Sequence, residues 1–382
     1  MQKPKLKISM LGHKRIPSRE GGVEIVVENL AVRMVQAGHE VTCYNRRGHH
    51  VSGKEFNVES LAEYEGVRLK SVFTATRKGL AAMTSSAFAA LYSAFGRYDV
   101  VHFHAEGPCA MLWLPKLFGK RCVATIHGLD WQRAKWGGFA VRYLKFGEWV
   151  AARFSDELIV LTEGAQRYFK DVYGRDSIVI PNGVSKPEPV EPDEIERRFG
   201  LEKDDYILFL GRIVPEKGLR YLVDAFRKVK TDKKLVIAGG SSDTDAFIQE
   251  LKQVAGGDER IIFTGFVQGR ILDELYSNAY IYALPSDVEG MPLSLLEALS
   301  YGNCCLISDI EACTSVVEDS DSGGRRAAVF RKSDVDDLRA VLQRLCDDPV
   351  EVEEFRDGVS DFVCNKYSWD KVAEQTTALY YK

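Results

Sequence analysis

The strongest indication of fold class is the stretch YILFLGRIVPEKGLRYLVDAF at residues 206–226. An apolar, strand-like run, YILFLG, leads through a charged loop into LRYLVDAF, whose apolar residues recur at helical spacing. A buried strand followed directly by an amphipathic helix is the repeating unit of a parallel sheet covered by helices on both faces. The stretch therefore predicts an α/β fold.

Apolar runs of this kind form two series along the 382 residues. The first series is LKISML (6–11), EVTCY (40–44), VRLKSV (67–72), DVVHFH (99–104), RCVATI (121–126) and ELIVL (157–161). The second series is YILFLG (206–211), KLVIAG (234–239), IIFTG (261–265), YIYAL (280–284) and CCLIS (304–308). A segment rich in proline and acids, NGVSKPEPVEPDE (182–194), separates them. We expect two doubly wound, Rossmann-like domains, residues 1–182 and 183–365, that face each other across a cleft.

Charge is unevenly distributed over the chain. Residues 1–180 contain 26 Lys and Arg against 17 Asp and Glu, whereas residues 181–382 contain 25 against 38. The basic half suits an anionic partner such as a phosphorylated substrate or a membrane surface, and complementarity between the two domains explains it equally well. No run reaches the roughly 18 apolar residues that span a bilayer, and no signal-peptide pattern is expected at the N-terminus. The eight cysteines form no C-x-x-C pair, which favours reduced thiols in a cytoplasmic protein.

Two cations lie in the loop that follows the strand YILFLG. Arg212 comes directly after the strand, and Lys217 precedes Gly218 at the start of the next helix. Cations beside the amides of a helix N-terminus suit a diphosphate. A solvated loop with an internal pair between Arg212 and Glu216 explains the pattern equally well, so the local sequence leaves both interpretations open.

The stretch EGMPLSLLE at residues 289–297 carries two carboxylates eight residues apart. Pro292 suits the first helical position and Gly290 allows a tight turn, so the first amides of the helix can face a ligand. Glu289 would lie in the turn, and Glu297 inside the helix, where sugar hydroxyls can donate to a poorly solvated carboxylate. Eight residues of helix rise by about 12 Å, so the two carboxylates would be too far apart to share a proton or a metal ion. The two acids would therefore hold two parts of one long ligand, although Glu297 alone is also explained as an ordinary helix acid.

Several segments of the sequence resemble those of a known family. EGMPLSLLEALSYG is similar to the E-x7-E motif of the retaining glycosyltransferases of family four, which have the GT-B fold. The segments that follow the same order are GGVEIVVENLA (21–31), ATIHG (124–128), IPNGV (180–184), GRIVPEKG (211–218) and FTGFV (263–267). The closing YSWDKVAEQTTALYY resembles the helix with which this family crosses back onto the N-terminal domain, and we assign residues 366–382 to it. Two other segments, IPSREGGVE and HGLDWQRAKW, resemble bacterial transferases that build surface polysaccharides.

The resemblance implies a role for each matching residue. Arg212 and Lys217 would bind the diphosphate of a nucleoside-diphosphate sugar, with UDP as the expected nucleotide. Glu289 would bind the sugar and Glu297 the ribose. The other donor-binding residues that the resemblance implies are Gly21, Gly22, Gly265, Val267, Gly290, Met291, Pro292 and Leu293. The catalytic set would be His127, Glu289, Arg212 and Lys217, acting with retention of configuration and without a cofactor.

Histidines follow two strands of the first series. His127 ends ATIH and would stabilise charge at the reacting centre. His102 and His104 alternate at the end of another strand, so one of them is expected to face the cleft, with packing as the alternative. His104 and Asp130 are candidates on the acceptor side, although Asp130 is equally explained as a loop cap.

No metal is expected at the site. The D-x-D strings at Asp243–Asp245, Asp319–Asp321 and Asp334–Asp336 lie in polar loops or helix starts rather than after an apolar strand. Arg212 and Lys217 already supply a countercharge for a diphosphate. We therefore expect a metal-independent glycosyltransferase.

Two stretches of unusual composition bear on the acceptor of the sugar. WQRAKWGGFAVRYLKFGEWVAARF (131–154) interleaves five cations with seven aromatic residues, and RKGLAAMTSSAFAALYSAFGR (77–97) is apolar with cationic ends. Such stretches suit an anionic membrane surface, and core helices with snorkelling cations are the alternative. We expect a glycan or lipid-linked acceptor in polysaccharide biosynthesis, in the cytoplasm or on the cytoplasmic face of a membrane. Nucleic acid is not expected, because no nucleic-acid-binding module is present.

Two other functions suit the same fold. A nucleotide-sugar epimerase would bind a similar ligand but needs no acceptor groove. A non-catalytic binding protein would keep Arg212, Lys217 and Glu297 while losing His127 or Glu289, and both are present. A dehydrogenase is disfavoured because SMLGHKRIPSREGG lacks the G-x-G-x-x-G pattern.

Overall fold

A computed structural model of the chain describes residues 4–48, 61–77, 79–132, 137–240, 245–319 and 323–382. The chain divides into two compact units, residues 1–183 together with 369–382, and residues 184–368. The divisions fall one and three residues beyond the boundaries expected from the sequence. Both units are α/β, as the alternation of strand and helix patterns predicts.

The first unit is built on one sheet. Its strands are β1 (Lys7–Leu11), β2 (Glu40–Arg46), β3 (Glu63–Tyr64), β4 (Val67–Val72), β5 (Val100–His104), β6 (Arg121–Ile126), β7 (Glu157–Val160) and β8 (Ile178–Val179). Its helices up to the linker are α1 (Gly22–Gln36), α2 (Leu80–Phe95), α3 (Glu106–Cys109), α4 (Trp113–Leu117), α5 (Gly138–Phe154) and α6 (Glu163–Tyr173). The strand order is β3-β4-β2-β1-β5-β6-β7-β8, and β3 alone of these described strands runs antiparallel to its neighbour. Because β1 pairs with both β2 and β5, the order reverses there, which is where such sheets bind ligands.

The second unit repeats this architecture. Its helices are α7 (Glu194–Phe199), α8 (Leu219–Phe226), α9 (Asp245–Ala255), α10 (Arg270–Ser277), α11 (Leu293–Ser300), α12 (Glu311–Val317), α13 (Val335–Asp347), α14 (Pro349–Arg356) and α15 (Val359–Lys366). The strands of its main sheet are β9 (Tyr206–Leu210), β10 (Lys234–Ala238), β11 (Ile261–Gly265), β12 (Ile281–Leu284), β13 (Cys304–Ser308) and β16 (Ala328–Phe330). Two further strands, β14 (Glu318–Asp319) and β15 (Gly324–Arg325), form a separate ribbon. The order in the main sheet is β11-β10-β9-β12-β13-β16, with parallel pairing throughout its described strands.

The strands are buried on both faces. Every residue of β5 and of β13 is buried, including alternate positions that would face water in a half-exposed sheet. Continuous burial explains why these strands are apolar without a period of two. Among the described residues, no helix is both long and apolar enough to cross a membrane.

The last helix, α16 (Trp369–Leu379), belongs to the first unit and packs against α1. The guanidinium of Arg121 on β6 donates to the backbone oxygen of Leu379 at 2.9 Å. The hydroxyl of Tyr380 lies 2.7 Å from Nδ1 of His102 on β5. The C-terminal segment therefore completes the first unit, as expected from the sequence.

Two loops of the second unit meet where β9 pairs with β12. Ile281 lies opposite Ile207 in this parallel pair, so the loops that follow the two strands are neighbours. Gly218 has φ +66°, and a Cβ there would lie 1.9 Å from the backbone oxygen of Pro285. The loop after β9 therefore requires glycine at this position to lie against the end of β12.

We predict that Gly218→Ala lowers the thermal midpoint by more than Gly200→Ala. Both glycines have left-handed backbones, φ +66° and +62°, so both variants cost about 1 kcal/mol in backbone strain. At Gly200 no atom lies within 4 Å of the added Cβ, whereas overpacking at Gly218 adds about 1–3 kcal/mol. Differential scanning calorimetry measures both, and equal losses would contradict the close approach.

Candidate functional site

Opposite charges meet at the carboxyl edge of the second sheet. Lys217, in the loop after β9, has its Nζ 2.5 Å from Oε1 of Glu289, in the loop after β12. Ser286 Oγ donates to the same oxygen at 2.7 Å. The Lys217 and Glu289 side chains are only 13% and 9% exposed. A hydrogen-bonded pair so shielded from water holds both charges in fixed positions.

Glu297 is oriented by a tyrosine on the neighbouring helix. It lies on α11 and is half-buried. The hydroxyl of Tyr276, on α10, donates to Oε2 of Glu297 at 3.2 Å. Burial, and then the charge of Glu297, raises the pKa of Tyr276 well above its usual range. Tyr276 therefore stays protonated and acts as a hydrogen-bond donor.

The helix that carries Glu297 starts one residue later than expected. α11 begins at Leu293, and Pro292 is the capping residue with φ −74° and ψ 110°. Placing Pro292 at the first helical position was therefore wrong by one residue. The side chains of Met291 and Leu293 are buried. The amides of Leu295 and Leu296 donate to the carbonyl of Pro292 at 3.2 and 3.3 Å. The amides that precede them, those of Leu293 and Ser294, are the ones a ligand would use.

The other residues expected to bind a donor lie along the same edge. Arg212 follows β9, and Gly265 ends β11 with φ +74°. Val267, two residues later, is buried. Because β10 lies between β9 and β11, Arg212 and Gly265 end strands two positions apart in the sheet.

In the first unit, the expected glycines lie at a helix start. α1 begins at Gly22, with Gly21 as its cap. The buried carboxylate of Glu24 accepts the Lys14 amide proton at 2.7 Å. A Cβ on Gly21 would lie 2.4 Å from the other oxygen of Glu24. The helix start that would meet a phosphate thus already has an anion close to it.

Three histidines are stacked at the carboxyl edge of the first sheet. The ring centroids of His102 and His104 are 4.1 Å apart, and Nδ1 of His104 lies 3.1 Å from Nε2 of His127. His102 and His104 are both completely buried. Residues two apart on a strand share a face, so expecting one of the two to face a cleft was wrong. Because His104 is buried, it can affect an acceptor only through His127, which is half-buried.

Burial keeps the inner two histidines neutral. His102 lies between the hydroxyls of Tyr380 and Thr125, each at 2.7 Å. Burial, and then the charge of His127, lowers the pKa of His102 to about 3. Burial, followed by the neighbouring histidines, lowers the pKa of His104 well below its usual range. His127 therefore contacts an uncharged imidazole at neutral pH.

A buried pair of carboxyl groups lies behind the loop that follows β6. Glu106 and Glu148 are completely buried. Glu106 Oε1 accepts the backbone amide of Asp130 at 3.1 Å, and Glu148 Oε2 accepts the hydroxyls of Tyr168 and Tyr173 at 3.0 and 2.7 Å. Burial, then the charge of Asp130 and the bond to Glu148, raises the pKa of Glu106 far above its usual range.

Each carboxyl group of this pair has one buried oxygen without a hydrogen-bond partner among the described residues. These second oxygens are Oε2 of Glu106 and Oε1 of Glu148. If Glu106 is protonated, it donates to Glu148 and both oxygens are satisfied. The Asp130 amide is thereby held to α3, which fixes the loop after His127.

Several residues at these sites were not predicted from the sequence. They are Ser286, Tyr276, Glu106, Glu148 and His13, the last with Nε2 3.0 Å from Asn45 Oδ1 and a pKa lowered by burial to about 4. Glu106 lies two residues after the end of β5, and a carboxylate in that position after an apolar strand was a usable signal. Ser286 lies three residues before Glu289, so its contact is local. The contacts of Tyr276, Glu148 and His13 join segments distant in the chain.

Among the described residues, no group of three or more His, Cys, Asp or Glu is arranged to hold a metal ion. Asp243 and Asp321, from two of the D-x-D strings, lie outside the described residues. Asp334, from the third string, caps α13 by accepting the Asp337 amide at 2.9 Å.

We predict that Glu106→Gln gains stability relative to the wild type as pH rises from 5 to 8. Because folding raises the pKa of Glu106, the folded chain keeps a proton that the unfolded chain has lost above its ordinary pKa. The wild type therefore loses up to about 1.4 kcal/mol per pH unit in this window from Glu106. The neutral amide of Gln has no such dependence.

Thermal midpoints across the pH range test this prediction. Glu163→Gln, at a carboxylate 80% exposed on α6, is the matched control and is expected to track the wild type. A constant difference between Glu106→Gln and the wild type at every pH would contradict proton uptake on folding.

The amino-acid sequence matches two families. Residues 20–186 match the family described as Glycosyltransferase Family 4, and residues 191–362 match Glycosyl transferases group 1. The two matched ranges correspond to the two units, apart from the C-terminal helix.

Individual relatives agree with these matches. The chain is 25% identical to an uncharacterized glycosyltransferase of Methanocaldococcus jannaschii, over 98% of each protein. It is 27% identical to the UDP-Gal:alpha-D-GlcNAc-diphosphoundecaprenol alpha-1,3-galactosyltransferase of Escherichia coli, over 66% of this chain and 68% of that protein. The structure of Anabaena HepE in complex with UDP and glucose has a TM-score of 0.80 at 16% identity, over 98% of each chain.

The structural similarity to HepE supports the fold, and at 16% identity it does not indicate a substrate. The two family matches cover both units and agree with the full-length relative. The chain is therefore a glycosyltransferase with the GT-B fold, formed by a family 4 domain followed by a group 1 domain.

Proposed function

We propose that the protein transfers a sugar from a nucleoside-diphosphate sugar, UDP being the expected nucleotide, to a glycan or lipid-linked acceptor with retention of configuration. The observation that carries this proposal is the shielded contact of Lys217 with Glu289 beside the start of α11. A cation, a carboxylate and helix amides together match the diphosphate and hydroxyl groups of such a donor. The UDP-galactose named for the E. coli relative supports the choice of nucleotide.

Lys217 can bind a diphosphate without releasing Glu289. An ammonium group has three donors, and one is used by Oε1 of Glu289. A second donor can reach a phosphate oxygen, and Arg212, two residues after β9, would add a planar donor fork. The loop held by Gly218 against β12 keeps this cation in place.

The two glutamates would bind different parts of the donor. Glu289 Oε1 accepts from Lys217 and Ser286, and a carboxylate has about four acceptor positions, so sugar hydroxyls can use others. Glu297, oriented by Tyr276, would accept the ribose hydroxyls. Backbone groups at Gly265 and Val267 would contact the base, and those from Gly290 to Leu293 the sugar and phosphate.

The chemistry breaks one bond and forms another on the same face of the sugar. The bond from the anomeric carbon to the donor phosphate oxygen breaks, the acceptor oxygen bonds to that carbon, and the acceptor proton passes to the departing phosphate. Lys217 and Arg212 would offset charge on that phosphate. His127 would stabilise positive charge on the sugar, with neutral His104 positioning its ring.

We place the reaction in the cytoplasm, without a metal ion or cofactor. All eight cysteines are unpaired thiols, which fits a reducing compartment. The two basic side chains at the donor site would replace a metal as countercharge. In the first unit, Asp130 and the glycines Gly21 and Gly22 remain proposed contacts of the acceptor and the phosphates.

We predict that UDP raises the thermal midpoint of the wild type in the presence of EDTA. A nucleotide at about a hundred times its dissociation constant adds roughly 2.7 kcal/mol. Lys217→Met is expected to weaken UDP binding by about ten-fold or more, because a charged hydrogen bond is lost. Tyr276→Phe, which removes one bond to Glu297, is expected to weaken it about five-fold.

Glu354→Gln is the matched control, since this exposed glutamate on α14 lies on a different helix from Glu297. It is expected to bind UDP like the wild type, whereas Glu297→Gln is not. If no nucleoside diphosphate stabilises the wild type, or if stabilisation appears only with a divalent metal, the proposal of a metal-independent donor site fails.

We predict that the product keeps the anomeric configuration of the donor. With an α-linked UDP-sugar and an accepted glycan, proton NMR of the new linkage should show the small coupling of an α-anomer. His127→Ala is expected to lower kcat while leaving UDP binding unchanged. A β-linked product would rule out retention, and a changed sugar on intact UDP would favour an epimerase.

A further inference from the structure

An exposed apolar surface lies on the outer side of α2, α4 and α5 in the first unit. We call it the aromatic face, and it consists of Leu80, Leu91, Tyr92, Phe95, Trp113, Leu117, Phe118, Phe139, Phe146, Trp149 and Phe154. These make up eleven of the fifteen large apolar side chains exposed among the described residues, and the second unit contributes only Val350 to that set. Such a concentration marks an interaction surface rather than scattered exposure.

The aromatic face is continuous from helix to helix. α4 packs against both α2 and α5. The ring centroids of Phe95 and Phe118 are 4.6 Å apart, which joins α2 to the end of α4. On α5, the Trp149 ring lies 5.9 Å from Phe146 and 5.7 Å from Phe154. Buried residues of α2 and α5 belong to one core cluster, so both helices cover the same side of the sheet.

The charges around the aromatic face are positive. Residues 80–154 contain nine Lys and Arg but four Asp and Glu. Two of those acids, Glu106 and Glu148, are completely buried and add no negative charge at the surface. The cations exposed among the described residues of this stretch include Arg97, Arg142, Lys145 and Arg153. Aromatic side chains bordered by cations, with little exposed acid, complement the headgroup region of an anionic bilayer.

A cationic pocket of about 790 Å³ adjoins this face. Its charged residues are Lys7, Arg68, Lys70, Arg97 and Glu40. The other lining residues are Thr42, Tyr44, Ser71, Tyr92, Phe95, Gly96 and Tyr98. Tyr92 and Phe95 belong both to the pocket and to the aromatic face, so the two are contiguous.

Glu40, the acid in the pocket, is offset by cations. Its two carboxylate oxygens lie 3.3 Å from Lys5 Nζ and 3.5 Å from Arg68. The bond to Lys5 and the nearby cations hold the pKa of Glu40 below its usual range. The pocket therefore keeps an excess of positive charge. The hydroxyls of Tyr44 and Tyr98 bond to each other at 3.1 Å, which leaves one of their two protons to donate elsewhere. The chemistry of the pocket fits a phosphate group.

The pocket is distinct from the candidate donor and histidine sites. Lys7 and Glu40 are the first residues of β1 and β2, and Arg68 is the second residue of β4. The pocket thus includes the amino ends of these strands, whereas His127 follows the carboxyl end of β6. The proposed transfer reaction does not use it.

We propose that the aromatic face docks on a membrane containing anionic phospholipid and that the cationic pocket binds a headgroup phosphate at the same surface. Aromatic rings would lie at the level of the headgroups, and the shared residues Tyr92 and Phe95 would lie between the phosphate and the acyl chains. This surface goes beyond the proposed transfer reaction and does not depend on it.

Flotation with lipid vesicles tests the docking surface. The wild type is expected to float with phosphatidylcholine vesicles that contain phosphatidylglycerol, and to bind phosphatidylcholine vesicles much less. The double variant Phe95→Ser with Phe118→Ser is expected to lose binding. Lys70→Glu with Arg97→Glu is expected to weaken it about ten-fold or more, since each cation near the surface contributes about 1 kcal/mol. Added salt is also expected to weaken vesicle binding by the wild type, because it screens these charges.

Matched controls lie in the second unit. Val350→Ser removes an apolar side chain that is 68% exposed, and Arg339→Glu reverses a cation that is 43% exposed. Both are expected to float like the wild type. The second readout is the rise in thermal midpoint with UDP. If the wild type shows this rise, all four variants are expected to show it too. Loss of vesicle binding can then be told apart from failure of the donor site.

Three outcomes would overturn the proposal. The first is no flotation of the wild type, or equal flotation with neutral vesicles. The second is inorganic phosphate binding to the pocket while Lys70→Glu with Arg97→Glu floats normally, since the pocket would then serve a soluble anion. The third is a wild-type dimer in sedimentation velocity that Phe95→Ser with Phe118→Ser dissociates, which would assign the aromatic face to a second copy.

Discussion

The pairing of β9 with β12 is the contact on which the arrangement of the second unit's site depends. It places the loops after these strands side by side, and Gly218 lets one loop lie against the end of β12. Lys217 and Glu289, 72 residues apart in sequence, then meet with little exposure to water. A shielded pair of this kind is costly to break by removing one partner, so the same contact fixes the loop positions and presents a cation and a carboxylate at one edge.

Around the loop that begins at His127 in the first unit, burial sets the charge of the neighbouring side chains. His102 and His104 are neutral because desolvation disfavours their charged forms, and Glu106 holds a proton for the same reason. These groups surround the loop that begins at His127 without exposing charge themselves. The C-terminal segment takes part, since Tyr380 bonds to His102. The half-buried His127 is thus supported by neutral groups whose positions depend on the return of α16.

The alternation of apolar strands and amphipathic helices predicted both units, because burial on both faces of a parallel sheet requires continuous apolar runs. The stretch EGMPLSLLE predicted a turn at Glu289 followed by a helix that carries Glu297, since a helix start has a local signature, and the structure has this arrangement. The same local logic failed by one residue at Pro292, where a proline suits both the cap and the first helical position. It also failed for His102 and His104, although a strand's two-residue period alone would have placed both on one face.

The sequence by itself determined the fold class, the approximate division into two units, the strand ends where polar residues gather and the basic character of the first half. These properties depend on the order and spacing of residues along the chain. The tertiary structure decided which strand ends are neighbours, and hence that Lys217 contacts Glu289. It determined, too, that Glu106 and Glu148 are both completely buried and that Tyr276 donates to Glu297. It also decided that α2, α4 and α5 join their exposed aromatics into one face. Contacts between distant segments and exposure to water follow from packing, which local sequence patterns do not specify.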